Sequence, residues 1–400
     1  MTTTSDLPTG STSEPPAQPT IRPTTPPGSP AGLAALVAGI ALLVSSEFLP
    51  AGVLPALAAD VGVSEGTAGL AVAATAIAGA LTAPTIAILL PRADRRTVLV
   101  ALLLAAAVAN LAVALSPSFG LLLVGRVLLG LALAGYWAFA FGAGTTALPG
   151  RDHVVATSLA LGVTVATIVG VPLGSLLGDA VGWRPVFGIA AGLAVLSALA
   201  VARTMPPVPA RPGAGLAMLR RALANRHLMA GIGAVGLVAF GNFAAYPFIR
   251  LAIDDVAPDA ATLLLVLWGL GGLAGNLLAG RWATHLRVVV TVAPLLLAAA
   301  LVLTSQATSV AVLAVGVTLW GLAFNAVPVA TQLWVTRVEP DHAESAVALQ
   351  VTAFQVAITL GAVSGGLLVD AHGVVAALGL GSALAVTGGL AFAGLRASRA

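Results

Sequence analysis

Apolar residues fill most of this chain in long stretches, and polar residues are confined to the short segments between them. A helix that crosses a bilayer needs about 20 predominantly apolar residues. By that criterion the pattern predicts an all-α integral membrane protein. Its twelve predicted spans are residues 32–58, 67–90, 97–116, 119–148, 154–181, 184–205, 228–252, 260–282, 288–306, 308–336, 343–369 and 374–395.

The chain also repeats part of itself at a constant offset of 191 residues, without any gap. The matching residues are Gly130, Pro149, Gly174, Leu176, Leu177, Asp179 and Gly182, which recur as Gly321, Pro340, Gly365, Leu367, Leu368, Asp370 and Gly373. Parallel repeats in membrane carriers place a binding site near mid-membrane at the interface of the repeats. We therefore expect two parallel six-helix bundles, over residues 31–205 and 228–396, joined by a cytoplasmic linker at 206–227.

Composition supports a lipid environment and excludes several kinds of site. Charged residues make up 8% of the chain, whereas soluble domains carry about 25%. Residues 1–30 are rich in Ser, Thr and Pro and are expected to form a disordered cytoplasmic tail rather than a signal peptide. There is no cysteine, and the five histidines form no ligand pair at helical spacing, so no metal site is expected.

The distribution of arginine predicts how the chain is oriented. All 18 basic residues are arginine, and 15 of them lie on the cytoplasmic side if both termini are inside. This bias predicts a multi-pass protein of the cytoplasmic membrane with both termini in the cytoplasm. The central cluster, Arg211, Arg220, Arg221 and Arg226, fits the same signal. A lipid-headgroup site is the alternative interpretation of this cluster.

Two charges lie well inside predicted spans, and such charges are costly and mark functional candidates. Glu47 lies in the first span and Arg126 in the fourth, at depths that differ by roughly 6 Å at 1.5 Å per residue. A pair, direct or through water, is feasible. One interpretation is a static ion pair between two helices. The other is that Glu47 takes up and releases a proton while Arg126 modulates its charge.

Polar and aromatic residues within the spans are candidates for the lining of a substrate cavity. Asparagine and glutamine can both donate and accept hydrogen bonds, and aromatic rings can stack on a planar solute. Individually, each residue could instead serve helix packing. The candidates are Tyr136, Trp137, Phe139, Asn242, Tyr246, Asn325, Gln332 and Gln355, with Phe243, Asn276 and Gln350 beside them, while Trp268, Trp282, Trp320 and Trp334 are interpreted as interfacial anchors.

Two short motifs are candidates for gating. Gly170-Val171-Pro172-Leu173-Gly174 lies in the fifth span, where glycines allow close packing and proline bends a helix. Such a bend could seal one half against the other. Asp94-Arg95-Arg96 lies between the second and third spans, either as positive-inside charge at a helix start or as a latch between the halves.

These residues together resemble the major facilitator superfamily, and in particular its drug:proton antiporter branch. Arg126-Val127-Leu128-Leu129-Gly130 resembles the branch's helix-4 motif, whose arginine is tied to proton coupling. The motif at 170–174 resembles the helix-5 motif of antiporters. Asp94-Arg95-Arg96 resembles the signature between helices 2 and 3 but lacks its usual preceding glycine. Other stretches, such as Glu47-Phe48-Leu49-Pro50, resemble a subgroup that includes purine ribonucleoside, sugar and chloramphenicol exporters.

The resemblance implies a proton-coupled efflux transporter that exports a small polar or amphiphilic solute, with purine ribonucleosides as one possibility. A chloramphenicol-type drug or a sugar is the alternative solute, and a sensor without transport is a remote one. An enzyme is not expected, and no Walker-type motif points to ATP, so the proton gradient is the expected energy source without a cofactor. The expected partners are the solute, protons and lipid, with no nucleic acid, and the chain is expected to function as a monomer.

Overall fold

The computed structural model describes residues 1–2, 29–90, 92–209, 223–339 and 343–395. These residues contain 12 helices long and apolar enough to cross a membrane and no β-strand, which confirms the predicted all-α membrane fold. Most of the predicted tail, residues 210–222 of the predicted linker, and Arg211, Arg220 and Arg221 lie outside the described residues. The proposed domain bounds remain a prediction.

The helices begin and end within three residues of the predicted spans. The first six, which we call the N-half, are α1 (Pro30–Val61), α2 (Glu65–Ala68 and Leu70–Leu89), α3 (Arg95–Ala114), α4 (Phe119–Ala147), α5 (Asp152–Val165, Ala166–Gly170 and Val171–Val181) and α6 (Trp183–Thr204). The last six, the C-half, are α7 (Arg226–Ala245, Tyr246–Phe248 and Ile249–Asp254), α8 (Ala261–Arg281), α9 (Leu286–Ser305), α10 (Val310–Val338), α11 (Ala343–His372) and α12 (Val374–Gly394).

The sequence repeat is visible in how the helices begin and turn. Ser118 caps the N-terminus of α4, and Ser309, 191 residues later, caps α10; in both cases the hydroxyl accepts a bond from the backbone N–H three residues on. Gly182 and Gly373 adopt φ values of 86° and 80° in the tight turns before α6 and α12. Glycine is favoured there because it lacks the Cβ that makes positive φ costly.

The same repeat sets how closely the helices pack within each half. A Cβ at Gly130 would overlap the Thr75 carbonyl of α2, and a Cβ at Gly321 would overlap the Trp268 carbonyl of α8. The pairs α4–α2 and α10–α8 are equivalent in the two repeats. Since lipid tails provide no hydrophobic drive between helices, such close backbone contacts stabilise the helix pairs through van der Waals packing.

Helix α1 is bent in its second half. Val53 has non-helical angles of φ −125° and ψ 16°, two residues before Pro55. Proline cannot donate to the carbonyl four residues earlier and its ring crowds that carbonyl, so the helix axis changes direction here. Pro50 removes a second backbone donor from the same helix.

The two halves meet along an interface that we call the seam. The loops after α1, α3, α5, α7, α9 and α11 form one end of the molecule, which we call the arginine-poor end because its arginines are Arg184 and Arg250 among the described residues. Hydrogen bonds across the seam join Ser64 and Gly66 to Asp370 and join Arg250 to Ser175 and Asp179. These bonds lie at the arginine-poor end, so that end is closed in this structure. One further bond across the seam, from the Asn276 Nδ2 of α8 to the Thr164 Oγ1 of α5 at 3.2 Å, lies within the helices.

Candidate functional site

Arg126 is fully buried in α4 and hydrogen-bonds to backbone carbonyls of two neighbouring helices. Its Nε donates to the Ala71 carbonyl at 2.9 Å, its Nη1 to the Ser46 carbonyl at 2.7 Å, and its Nη2 to the Glu47 carbonyl. In a regular helix the Ser46 carbonyl would accept from residue 50, which is a proline and has no N–H. The guanidinium therefore satisfies a carbonyl that Pro50 leaves free, and it joins α4 to α1 and α2.

The Glu47 carboxylate is buried but is not directly paired with Arg126. Glu47 is only 6% exposed, and its Oε1 has no hydrogen-bond partner. The three ion pairs among the described residues involve other groups. The Arg126 charge still acts electrostatically on this carboxylate. The predicted neighbours are thus close, but the hydrogen bonds of Arg126 go to the backbone, which leaves the carboxylate free to bind something else.

A polar side chain of α3 hydrogen-bonds to Ser46, the residue before Glu47. The Asn110 Nδ2 donates to the Ser46 Oγ at 3.2 Å, and both residues are buried. Ser46 is therefore bonded through its side chain to α3 and through its carbonyl to α4. This fixes the segment of α1 that carries Glu47.

Aromatic rings from both halves pack against one another next to Glu47 at the seam. Phe48 of α1 stacks on Phe243 of α7 with centroids 6.0 Å apart and meets the edge of Tyr246 at 5.4 Å. Tyr246 lies 4.9 Å from Trp268 of α8, and Phe243 lies 5.5 Å from Phe324 of α10. We call these five residues the aromatic cluster. The Glu47 carboxylate is close enough to Tyr246 to act on it electrostatically.

The predicted cavity residues of the C-half divide into two groups. Asn242 and Tyr246 lie at or beside the aromatic cluster, and Asn242 Oδ1 accepts from Trp320 Nε1 at 2.8 Å. Gln355 reaches the seam, where its amide packs against Gly79 of α2. By contrast, Asn325 donates to the Gly321 carbonyl of its own helix at 3.0 Å, and Gln332 is exposed.

The predicted cavity residues of the N-half lie apart from the aromatic cluster. The Tyr136 hydroxyl donates to the Leu36 carbonyl at 3.1 Å inside the N-half. The Phe139 ring lies 4.3 Å under the Arg95 guanidinium, a cation–π contact near the arginine-rich end. Trp137 is 44% exposed on the surface of α4. The structure thus gives Tyr136 and Phe139 packing contacts inside the N-half, leaves Trp137 exposed, and places none of the three in the aromatic cluster.

Three residues of the aromatic cluster, Phe48, Trp268 and Phe324, were not among the predicted cavity residues. Phe48 was quoted only as part of a motif, and Trp268 was interpreted as an interfacial anchor, yet Trp268 is 3% exposed and packs on Tyr246. The available signal was the position of Phe48 next to the one acid in the middle of a span. Nothing in the sequence distinguished Trp268 from Trp282, which is 53% exposed at the C-terminal cap of the same helix.

The motif of α5, residues 170–174, packs against the part of α1 that carries Glu47. A π-helical turn, Ala166–Gly170, precedes Pro172, and such turns are frequent at functional sites. A Cβ at Gly170 would lie 2.6 Å from the Ser45 hydroxyl, and one at Gly174 would lie 2.6 Å from Leu49. On its other side, Ile168 packs against Gly269 of α8. The irregular turn therefore touches both α1 and the opposite half.

The motif between α2 and α3 makes its contacts with α3, α6 and the segment that follows α6 in this structure. The Asp94 carboxylate accepts from the Thr97 N–H at 3.0 Å and from the Val208 N–H at 2.8 Å, and the Arg95 N–H donates to the Val208 carbonyl. Arg96 donates to the Ala202 carbonyl. Asp94 thus caps α3 and holds the start of the segment after α6. Its role as a latch between the halves remains a prediction.

Asp94 lies outside the membrane-spanning helices, so its charge state bears on this contact. Burial alone would raise the pKa of Asp94, but the hydrogen bonds from Thr97 and Val208 and the charge of Arg96 together lower it below its ordinary value. A carboxyl whose pKa is depressed by folding stabilises the folded state at neutral pH, and that contribution disappears as the pH falls through the folded pKa. The cap and the Val208 contact therefore weaken only in acid.

Two aspartates related by the repeat hold the seam closed at the arginine-poor end. Asp370 accepts from the Ser64 hydroxyl at 2.6 Å and from the Gly66 N–H at 2.9 Å. Asp179 accepts from Arg250 at 3.3 Å, while the same arginine donates to Ser175 at 2.6 Å. Each aspartate lies near the end of the fifth helix of its half and reaches the other half.

We expect Asp370→Ala to open the arginine-poor end more often, because it removes two bonds across the seam, each worth roughly 1 kcal/mol or more. A shift of about 2 kcal/mol would raise the open population by about 30-fold. The readout is the rate at which an impermeant maleimide labels the variant Phe248→Cys. Phe248 is buried against Gly69, and because the chain has no cysteine of its own, the introduced thiol is the only one. Asp259→Ala, an exposed acid at the same end, is the matched control. Equal labelling rates in both variants would contradict a role for Asp370 in closure.

One family model and several curated proteins match this chain in sequence. A profile of the Major Facilitator Superfamily matches residues 36–251 and 231–399. The "Purine ribonucleoside efflux pump NepI" of Salmonella paratyphi B is 35% identical over 357 residues, which covers 88% of this chain and 88% of that protein. The protein of the same name from Salmonella enteritidis PT4 is 35% identical over 351 residues, covering 86% of this chain and 88% of that protein.

Solved structures share the fold at lower sequence identity. A bacterial homologue of the human lysosomal transporter Spinster, in an inward-facing and unoccupied conformation, has a TM-score of 0.70 and 18% identity, over 93% of this chain and 96% of that one. The human organic anion transporter MFSD10 has a TM-score of 0.66 and 17% identity, over 92% of this chain and 100% of that one.

Proposed function

Since this chain belongs to the Major Facilitator Superfamily, we propose that it is a proton-coupled antiporter that exports purine ribonucleosides. It is a multi-pass membrane transporter rather than an enzyme. The nucleoside assignment rests on relatives that are 35% identical over most of their length and are named as purine ribonucleoside efflux pumps. A chloramphenicol-type drug and a sugar remain the competing solutes.

The observation that carries the proton coupling is the Glu47 carboxylate. It is buried at the seam, its Oε1 has no hydrogen-bond partner, and Arg126 lies close enough to influence its charge. Rocking of the two halves would change what surrounds this group, because Tyr246 and Phe48 meet across the same interface. A carboxyl group whose surroundings alternate can load a proton on one side of the membrane and release it on the other.

The direction of transport follows from the same arrangement. We place the arginine-rich end in the cytoplasm, with both termini there, because arginine accumulates on the cytoplasmic side of the inner membrane. The closed arginine-poor end then faces outward, so the site in this structure would be approached from the cytoplasm. Protons moving inward down their gradient would drive solute outward. One chain supplies both sides of the seam, so a monomer suffices.

The proposal is tested by uptake of labelled inosine into inverted membrane vesicles with an acidic interior. We expect accumulation above the external concentration that disappears when an uncoupler abolishes the pH gradient. Vesicles from cells that lack the protein provide the control. Accumulation of labelled chloramphenicol but not inosine would move the assignment to drug export, and no gradient-dependent uptake of any test solute by folded protein would contradict antiport.

A further inference from the structure

Six buried side chains among the described residues carry a polar atom without a hydrogen-bond partner, and three of the six belong to or adjoin residues of the aromatic cluster. These three are Glu47 through Oε1, Asn242 through Nδ2 and Trp268 through Nε1. Their residues are 6%, 0% and 3% exposed. Buried polar atoms are nearly always paired, and leaving one unpaired is costly. Three such atoms around one cluster of aromatic rings indicate a site that a ligand completes.

The hydrogen-bonding character of the three atoms is fixed by chemistry and by one neighbour. The indole N–H of Trp268 can only donate. Asn242 must turn its oxygen toward Trp320, because the Trp320 Nε1 donates to it at 2.8 Å. The free atom of Asn242 is therefore the amide nitrogen, a second donor. The C-half thus offers two donors, and the N-half offers one carboxylate that accepts when ionised.

Aromatic faces surround these atoms. Asn242 precedes Phe243 in the chain and lies one helical turn before Tyr246, whose ring packs 4.9 Å from that of Trp268. Phe48 presents its ring to both Phe243 and Tyr246 from the residue next to Glu47. Aromatic side chains stack on planar heteroaromatic rings whatever substituents the rings carry. The edge atoms must then provide the discrimination.

We propose that Trp268, Asn242 and Glu47 recognise the edge of a 6-oxopurine, the base of inosine and guanosine; this rests on the proposed export of nucleosides. Such a base carries two adjacent acceptors, N7 and O6, followed by an N1–H donor. Two donors on one half and an acceptor on the other match that order. Adenosine has an amino donor between N7 and N1, so it would place a donor where the C-half also donates.

The first measurement is competition between inosine and adenosine for the unaltered protein, in the inverted-vesicle assay. We expect inosine to compete at least about tenfold better, because a mismatched ligand leaves a buried donor unpaired. This comparison needs no variant. Equal competition by the two nucleosides would overturn the recognition scheme while leaving nucleoside export intact.

The second measurement uses Trp268→Phe, which keeps a stacking ring and removes only the N–H. With the Trp268 N–H assigned to O6 and the Asn242 amide to N7, which both bases share, we expect inosine to lose about tenfold in apparent affinity and adenosine to change little, so that the preference largely disappears. Trp282→Phe, at an exposed tryptophan that caps the C-terminus of the same helix, is the matched control. Equilibrium binding of labelled inosine to the purified variants supplies a readout that does not depend on coupling.

The outcomes separate the two proposals. Transport of inosine by the unaltered protein with no change in Trp268→Phe overturns the role of Trp268 and leaves nucleoside export standing. Failure of the unaltered, folded protein to transport or bind any nucleoside overturns both. A selective loss of inosine affinity in Trp268→Phe, with Trp282→Phe unchanged, supports the assignment.

Discussion

Replacing Glu47 by glutamine is expected to abolish proton-driven accumulation of solute while leaving the protein folded. Glutamine has the same shape but cannot ionise, so the proton pathway loses its carrier. With one proton exchanged per solute, a gradient of about 2 pH units can support an accumulation ratio of about 100. In Glu47→Gln we expect that ratio to fall to about 1. The measurement is labelled inosine in inverted vesicles with an acidic interior.

The design separates loss of coupling from loss of binding. Glu47→Gln should still exchange internal for external solute without a gradient, because the amide oxygen remains a hydrogen-bond acceptor. Glu47→Asp keeps an ionisable group and should retain part of the accumulation. Glu65→Gln, which alters an exposed acid at the arginine-poor end, is the control. Full accumulation by Glu47→Gln would show that another group carries the proton.

Arg126→Met is expected to destabilise the N-half strongly. The substitution removes three bonds from a charged donor and leaves the carbonyls of Ser46, Glu47 and Ala71 buried without that partner. Hydrogen bonds to charged groups contribute roughly 1.5–3 kcal/mol each, so the combined loss should be about 4 kcal/mol or more. The measurement is the thermal unfolding temperature of purified protein in detergent, followed by tryptophan fluorescence.

Lysine at position 126 should rescue little of that stability. Its single ammonium group lacks the planar fork that lets the guanidinium reach carbonyls on α1 and α2 at once. Arg281→Met, on an exposed arginine, provides the comparison. If Arg126→Met unfolded at the same temperature as the unaltered protein, the backbone contacts would carry no stability, and the arginine would act through charge alone.

The sequence was sufficient for the fold because membrane spans are set by length and apolarity. All twelve helices begin and end within three residues of the predicted bounds, since a helix in lipid must satisfy its own backbone and therefore extends across the whole apolar stretch. The gapless repeat also held at the level of geometry, as the paired caps Ser118 and Ser309 and the paired turns Gly182 and Gly373 demonstrate.

The site was less predictable, because depth along a helix is readable and rotation about its axis is not. Matching depths placed Glu47 and Arg126 near each other, but the partner of the guanidinium depends on which carbonyl Pro50 leaves free. Tyr136 and Asn242 are both polar residues within predicted spans. Tyr136 nevertheless bonds inside its own half, whereas Asn242 lies at the seam. Trp268 was missed for the same reason, since hydropathy does not tell which tryptophan turns inward.

The paired glycines and the paired aspartates differ in one respect that bears on how this transporter can change. Gly130 and Gly321 make equivalent contacts inside their own halves, so the duplicated units have kept the same internal packing. Asp179 and Asp370 reach across the seam and find unrelated partners, an arginine on one side and a helix start on the other. In these two pairs, the copies agree inside the halves and differ where the halves touch each other. A chain built in this way can acquire a new cargo through substitutions at the seam while both bundles keep their stability. Changes in specificity then need not disturb the packing on which folding depends.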